Sequence, residues 1–338
     1  MEKFHVIIVG AGPAGLCCAK HLAQNGVKVL VLEKNSTVGP KVCAGGIPFQ
    51  AQKELAIPEH LVQRSFPLQR VQTPWQKATI ASTEPIIITV DRYEFGQWML
   101  AEALQAGATV KTNSPVKAIT GKTVQTKETT YHFNFLVGAD GSSSIVRRYL
   151  KIPTQKTGVG INYQIPTIHS DMEWHLDPSC FRSGYAWAFP HRETTSVGAY
   201  AERNNLSPRH LKNNFLHWAQ ANYFDLQNTT PQAALINFDY QGWKFNNIFL
   251  AGDAAGLASG FTGEGIYPAI LSGETIAKTI IDAQYKPIRL ADILRRHKSH
   301  QQIQNFFCGS KVICQISLEM LVLSLRFKLL PFRLLELY

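Results

Sequence analysis

Nowhere in the 338 residues do 18 apolar residues run together without interruption, so no membrane-spanning helix is expected. Cysteine is scarce. The six present, including the adjacent pair Cys17 and Cys18 inside a helical pattern, have neither disulfide-framework nor zinc spacing. A reducing compartment and no bound metal are expected. A strand pattern is already under way at Phe4, which leaves no room for a signal peptide, and the expected location is cytoplasmic. Acidic residues are in short supply, 24 against 34 basic, for a net charge of +10. Such an excess suits nucleic acid, an anionic membrane or a phosphorylated ligand. The basic residues are scattered and no nucleic-acid motif accompanies them, which excludes the first. Only 17% of residues are charged against 45% hydrophobic, the balance of a globular chain with a large core and room for two lobes.

What is present begins with an apolar strand, Phe4 to Val9, followed at once by Gly10-Ala11-Gly12-Pro13-Ala14-Gly15. A helical pattern continues from Leu16 to Asn25, Gly26 stops it, and Lys28 to Leu32 forms a second strand ending at Glu33. Strand, G-x-G-x-x-G, helix, strand and acid together make the dinucleotide fingerprint. Gly10 makes the tight turn, Gly12 lets backbone approach a pyrophosphate, and Gly15 lets helix and strand pack closely. Ala14 lies in the same loop, and Glu33 can accept both ribose hydroxyls. The acid does not separate FAD from NAD.

The chain is organised around a later stretch, Asn247 to Gly273. Ile248 to Ala251 reads as a buried strand, and Gly252-Asp253 follows. Thr262-Gly263-Glu264-Gly265 then leads into a helical pattern from Ile266 to Ile281. Asp253 at a strand end can accept hydrogen bonds from a polyol. A helix opening at Gly265 and Ile266 aims free N–H groups and a positive dipole at whatever lies before it. A ribityl chain is a polyol and a reduced flavin ring is anionic, so one segment could hold both; each half alone also fits an ordinary strand–turn–helix. The same logic recurs at Phe133 to Val137, a strand closed by Gly138-Ala139-Asp140-Gly141-Ser142 and a helix start ending in Arg147-Arg148.

These three strand-end phrases in this order resemble the FAD-dependent class A fold of the p-hydroxybenzoate hydroxylase type, over residues 4 to about 285. The fold implied is α/β: a Rossmann-type FAD-binding domain with an inserted mixed or antiparallel β-sheet substrate domain and a C-terminal helical segment. Residues 1–65, 91–157 and 236–290 would form the discontinuous FAD-binding domain, 66–90 and 158–235 the substrate domain, and 291–338 the helical segment. The resemblance also implies that Asp253 binds the ribityl chain, and that Arg92 and the backbone near Val116 contact the nucleotide half.

Three further phrases narrow the resemblance. Thr262-Gly263-Glu264-Gly265-Ile266-Tyr267 is similar to a segment of geranylgeranyl reductases, Lys41-Val42-Cys43-Ala44-Gly45-Gly46 to their loop beside the flavin, and Tyr185-Ala186-Trp187-Ala188-Phe189-Pro190 to the core of their substrate-cavity motif. The chain is identified as a member of that family, with three departures: Arg182 and Gly260 where prolines are usual, and Gly96 where an Asp is usual. The resemblance implies hydride transfer from reduced FAD to carbon–carbon double bonds of an isoprenoid or other hydrophobic substrate. An external donor (NADPH, ferredoxin or a quinol) would reduce the flavin. Cys43, Ala44 and Gly46 would lie beside the ring. Cys43 or Tyr185 would deliver the proton, and Trp187 would wall the cavity, although a cysteine and an aromatic pair also serve as plain packing. Two other classes stand beside this one: a flavin monooxygenase or halogenase, and a non-enzymatic prenyl binder.

Past Lys286 the sequence turns basic, then apolar, with Leu321, Leu325, Leu329, Leu330 and Leu334 set among Arg326, Lys328 and Arg333, and Pro331 as an interruption. Two readings are open for this tail: a helix packing on the FAD lobe, or a peripheral contact with a membrane surface.

Overall fold

The computed structural model describes residues 2–307 and 310–329. Its main sheet is parallel through five strands, in the order Ile248–Leu250, Thr130–Gly138, Glu2–Val9, Val29–Leu32 and Thr109–Lys111. These are short runs rich in valine, isoleucine, leucine and phenylalanine. Val29–Leu32 and Ile248–Leu250 are buried throughout, as strands covered on both faces require. From Glu2–Val9 the chain steps outward one way to Val29–Leu32 and Thr109–Lys111. The other way it steps to Thr130–Gly138 and Ile248–Leu250. The carboxyl ends beside the first strand are therefore a topological switch point, where open α/β sheets bind ligands.

Two helices cover the switch point. Pro13–Gln24 begins on a proline, whose missing N–H costs nothing there, and buries Leu16, Cys17, Cys18 and Leu22. Ile266–Ile281 has the bounds its periodicity predicts and is buried along most of its length. The two meet backbone to backbone at Gly273: a Cβ there would stand 2.2 Å from the carbonyl oxygen of Ala14.

A second, seven-stranded sheet runs Gln232–Asn237, Thr157–Ile165, Thr195–Glu202, Tyr185–Pro190, Met172–His175, Leu68–Gln72 and Lys77–Ala81. It is antiparallel except where Met172–His175 pairs in parallel with Leu68–Gln72, so it is mixed in character as expected. Two expectations need correction. The Lys41–Gly46 phrase, likened to a loop, ends in a strand, Gly46–Pro48, and Ile87–Val90, read with the substrate lobe, pairs with it and with Val62–Phe66 in a third, three-stranded sheet. The reason is non-local: the apolar Ile87 and Ile88 are buried against this small sheet.

The tail also differs from the packing reading. Helix Lys311–Arg326 sets Cys314, Leu318, Val322 and Leu325 in one apolar cluster with Val71, Ala78, Trp187, Phe189 and Tyr200 of the second sheet, and the FAD-lobe segment adds only Phe261 to it. Glu319, turned inward, accepts from Thr73 Oγ1 at 2.6 Å and Gln76 Nε2 at 2.9 Å. Leu330, Pro331, Arg333 and Leu334 lie outside the described residues. Among the described residues, no helix is long and apolar enough to cross a membrane.

On the second sheet's other face, Glu173 lies between His175 Nε2 at 2.9 Å and His169 Nε2 at 3.6 Å. Burial pushes the Glu173 carboxyl up, but the two imidazoles outweigh it and hold it down at about 2. A carboxyl depressed in the folded state stabilises the fold above its ordinary pKa, and that contribution is lost as pH falls through the folded value. The gap in melting temperature between the wild type and Glu173→Gln should therefore be full near neutral pH and close between about pH 4.5 and 2. A gap that stays constant over that range would remove the imidazoles as its cause.

Candidate functional site

Three strand ends converge because of register. Val9 pairs with Gly138, and Gly138 pairs with Leu250, so Gly10, Asp140 and Asp253 follow adjacent strands at nearly the same level. Gly10 has φ +101°, and a Cβ on it would sit 2.4 Å from the carbonyl oxygen of Ala139, so no other residue fits there. Gly15 does not face the cavity; its missing Cβ would strike the Gly10 carbonyl at 2.0 Å, which lets the helix start directly over the turn. Gly12 is the opposite case. Space is open for 4 Å around its missing Cβ, leaving its backbone accessible to a ligand. Glu33 is 8% exposed, with Oε2 accepting from Ala11 N at 2.8 Å and Oε1 from Asn35 N at 2.9 Å. Its carboxylate pins the glycine loop and keeps lone pairs beyond these two bonds.

One cavity of about 880 Å³ runs along these ends, at the upper range for a cofactor site. Ala14, Glu33, Arg92 and Val116 line one end of it, together with Gly10 and Gly12. Arg92 Nε and Asp140 Oδ1 are buried without a hydrogen-bond partner and belong to residues lining this space. Burial pushes the Asp140 carboxyl up, while its other oxygen accepts from Ile145 N at 2.6 Å. Asp253 is 9% exposed; its Oδ2 accepts from Lys41 Nζ at 3.0 Å and Ser142 Oγ at 3.1 Å. Gly265 caps helix Ile266–Ile281 with no side-chain partner, so the first N–H groups of that helix open on the same cavity beside Asp253.

The far end of the cavity is aromatic. Tyr185 lies with its ring 5.7 Å from Trp174, 6.0 Å from Trp187 and 5.8 Å from Tyr200, and Trp174 stacks on Phe189 at 6.4 Å. Trp187 Nε1 donates to Ser196 Oγ at 3.0 Å, which donates to Asn162 Oδ1 at 2.6 Å, so the indole is fixed as a wall. Tyr185 donates its hydroxyl proton to the carbonyl of Thr262, and burial pushes its pKa up. A phenol so engaged holds the Thr262–Gly265 turn and is a weak acid. Cys43 is half-buried, its Sγ accepting from Gly45 N at 3.4 Å. Its loop is fastened by His191, whose Nε2 donates to Ala44 O at 3.0 Å and whose pKa burial lowers, keeping the ring neutral. Ala44 and Gly46 border the cavity, and a Cβ on Gly46 would strike the Phe189 ring at 2.7 Å.

The structure therefore gathers every expected site residue around this cavity except Gly15, which stands behind it. Sequence reasoning did not single out Lys41, Ser142, Asp140, Trp174, Tyr200 or His191. Lys41, Asp140 and Ser142 stand inside phrases already noticed, but only the fold brings Lys41 and Ser142 to Asp253, from 212 and 111 positions away. Trp174 and Tyr200 needed the strand pairing. Gly96 has a structural account: a Cβ there would stand 2.2 Å from Gly39 Cα, so the loop after Glu33 lies flat on the helix only because the usual Asp is absent.

Comparison with known proteins gives the following. Residues 72–283 match the family described as FAD binding domain, and residues 8–43 match an NAD(P)-binding Rossmann-like domain. The chain is 28% identical over 298 residues to a geranylgeranyl diphosphate reductase of Rhodobacter capsulatus, covering 82% of this chain and 74% of the relative. It is 26% identical over 338 residues to digeranylgeranylglycerophospholipid reductase 3 of Methanosphaera stadtmanae, covering 89% and 84%. Among solved structures, a geranylgeranyl bacteriochlorophyll reductase-like protein of Thermoplasma acidophilum superposes with a TM-score of 0.81 at 22% identity, covering 96% of this chain and 92% of that one. A flavin-dependent brominase superposes at 0.72 and 16% identity, covering 98% and 93%. The two structural likenesses bear on the fold.

Proposed function

This chain belongs to the FAD-binding-domain family and its cofactor is FAD, and from that premise we propose that it reduces carbon–carbon double bonds of an isoprenoid lipid. The observation that carries the reading is the single cavity joining the three strand ends to an aromatic chamber. The residues fit the cofactor. The open backbone at Gly12, the Glu33 carboxylate, and the unpartnered Arg92 Nε and Asp140 Oδ1 suit its dinucleotide half. Asp253 suits a polyol, and the N-terminus of helix Ile266–Ile281 suits an anionic ring. FAD, once reduced by an external donor such as NADPH, a ferredoxin or a quinol, supplies the hydride.

The protein's own part is to hold the alkene, exclude water and place a proton. Trp174, Trp187 and Phe189 offer an apolar wall to a prenyl chain, worth about 0.8 kcal/mol for each methylene buried. The second alkene carbon needs a proton, and Cys43 is the better placed donor, because the Tyr185 proton is committed to Thr262. The test is anaerobic: reduced enzyme given a geranylgeranyl lipid should yield product heavier by two hydrogens per bond reduced. Cys43→Ala should keep its FAD and slow that step by about a hundredfold; an unchanged rate makes the thiol a packing group. If the reduced enzyme leaves polyprenyl lipids untouched without oxygen but oxygenates or halogenates a substrate in air, the monooxygenase class replaces this reading.

A further inference from the structure

Helix Lys311–Arg326 has two unlike faces. Cys314, Leu318, Val322 and Leu325 point inward, in the apolar cluster that includes the cavity aromatics Trp187, Phe189 and Tyr200. At 100° per residue, Val312, Ile316, Met320 and Phe327 fall on one outward stripe with Ile313 at its edge, and all five are exposed. Phe327 is 63% exposed and Leu329, just past the helix, 73%. The only acid between Lys311 and Leu329 is Glu319, and it is buried on Thr73 and Gln76. The exposed charged side chains at the helix ends are Lys311, Arg326 and Lys328, all cationic. Glu319 also fastens the turn that carries Trp75, accepting from its backbone N at 3.4 Å; Trp75 is itself 71% exposed.

A stripe of large apolar side chains, bordered by cations and an exposed tryptophan, with its one carboxylate withdrawn, matches the surface of an anionic bilayer. Apolar groups enter the interface, basic groups meet lipid phosphates, and an indole sits between. We propose that the protein docks on an anionic lipid surface through this stripe together with Trp75. The docked helix would then be the layer between bilayer and chamber, with lipid on one face and the cavity aromatics' cluster on the other. The inference deepens the isoprenoid reading and uses a different surface, so each can fail alone.

Deleting the helix would open the cluster beneath it, so the test uses point substitutions in the full chain, with FAD content as the check on folding. The wild type should sediment with vesicles of phosphatidylcholine containing phosphatidylglycerol, and weakly with phosphatidylcholine alone. Arg326→Gln and Lys328→Gln should each weaken that binding about fivefold. Trp75→Ser with Met320→Ser should abolish it while FAD content and anaerobic turnover of a detergent-solubilised lipid stay unchanged. Trp75, compared with Trp75→Phe, should be quenched by brominated phosphatidylglycerol. Three results overturn the proposal: flavin-loaded wild type that ignores anionic vesicles, binding indifferent to these substitutions, or a wild-type dimer that Met320→Ser converts to monomer without loss of vesicle binding. A chain ending at Leu329 that binds vesicles when the full chain does not would assign the stripe to residues 330–338 and overturn it as well.

Discussion

Gly273→Ala is expected to cost the protein most of its flavin and about 2–3 kcal/mol of stability. Alanine is the better helix former by about 1 kcal/mol, so at an ordinary helical glycine the change would stabilise. Here the added methyl would stand 2.2 Å from the Ala14 carbonyl oxygen and 3.0 Å from its carbon. Both are backbone atoms, and no rotamer can relieve the contact. The helices Pro13–Gln24 and Ile266–Ile281 would have to separate, and overpacking of this kind costs more than the propensity gained. Both helices open on the cavity, so their separation moves the glycine loop away from Asp253 and the Gly265 turn. The measurements are FAD content after purification and thermal unfolding of the apoprotein. A more stable, fully yellow variant would mean that the helices are not held in backbone contact.

Asp253→Ala should keep the fold and weaken FAD binding by about tenfold to a hundredfold. The carboxylate is 9% exposed and has lone pairs beyond those that accept from Lys41 and Ser142. Hydrogen bonds from a polyol to an ionised acceptor contribute about 1.5–3 kcal/mol, and 1.4 kcal/mol is a factor of ten. Lys41, with 46% of its side chain exposed, can return to water when its partner is removed, so the apoprotein should lose little stability. Titration of apoprotein with FAD reads the affinity, and Asp253→Asn should fall between the wild type and alanine. Equal affinities across all three would place the polyol elsewhere.

The fold and much of the cofactor side were legible because their requirements are local. Gly10 must adopt positive φ next to Ala139, Glu33 ends a strand that the apolar pattern marks, and helix Ile266–Ile281 starts where the glycines end. The aromatic end was legible only in part. The two-residue period along Tyr185–Pro190 puts Trp187 and Phe189 on one face of the strand, but Trp174 and Tyr200 join them through pairing between distant strands. Ile87–Val90 was assigned to the wrong sheet for the same reason: an apolar run does not state its partner. The tail helix shows the limit most clearly. Its leucines announce burial somewhere, yet what aims them at the second sheet is the single inward Glu319 meeting Thr73 and Gln76, nearly 250 positions earlier in the chain.

The seam between the two large sheets is stitched by hydrogen bonds that run from one to the strand-end phrases of the other. Tyr185 donates to Thr262 O, Tyr200 Oη to Gly260 O at 2.8 Å, Asn237 Nδ2 to Asp253 O at 2.8 Å, and Asn237 N to Ser142 Oγ at 3.1 Å. The substrate sheet is thus no detachable module. A chimera that grafts this sheet from a relative must bring matching donors at positions 185, 200 and 237. Otherwise it leaves the turns around the cofactor without their outer scaffold, and a swap meant to alter lipid preference alone would alter flavin retention with it.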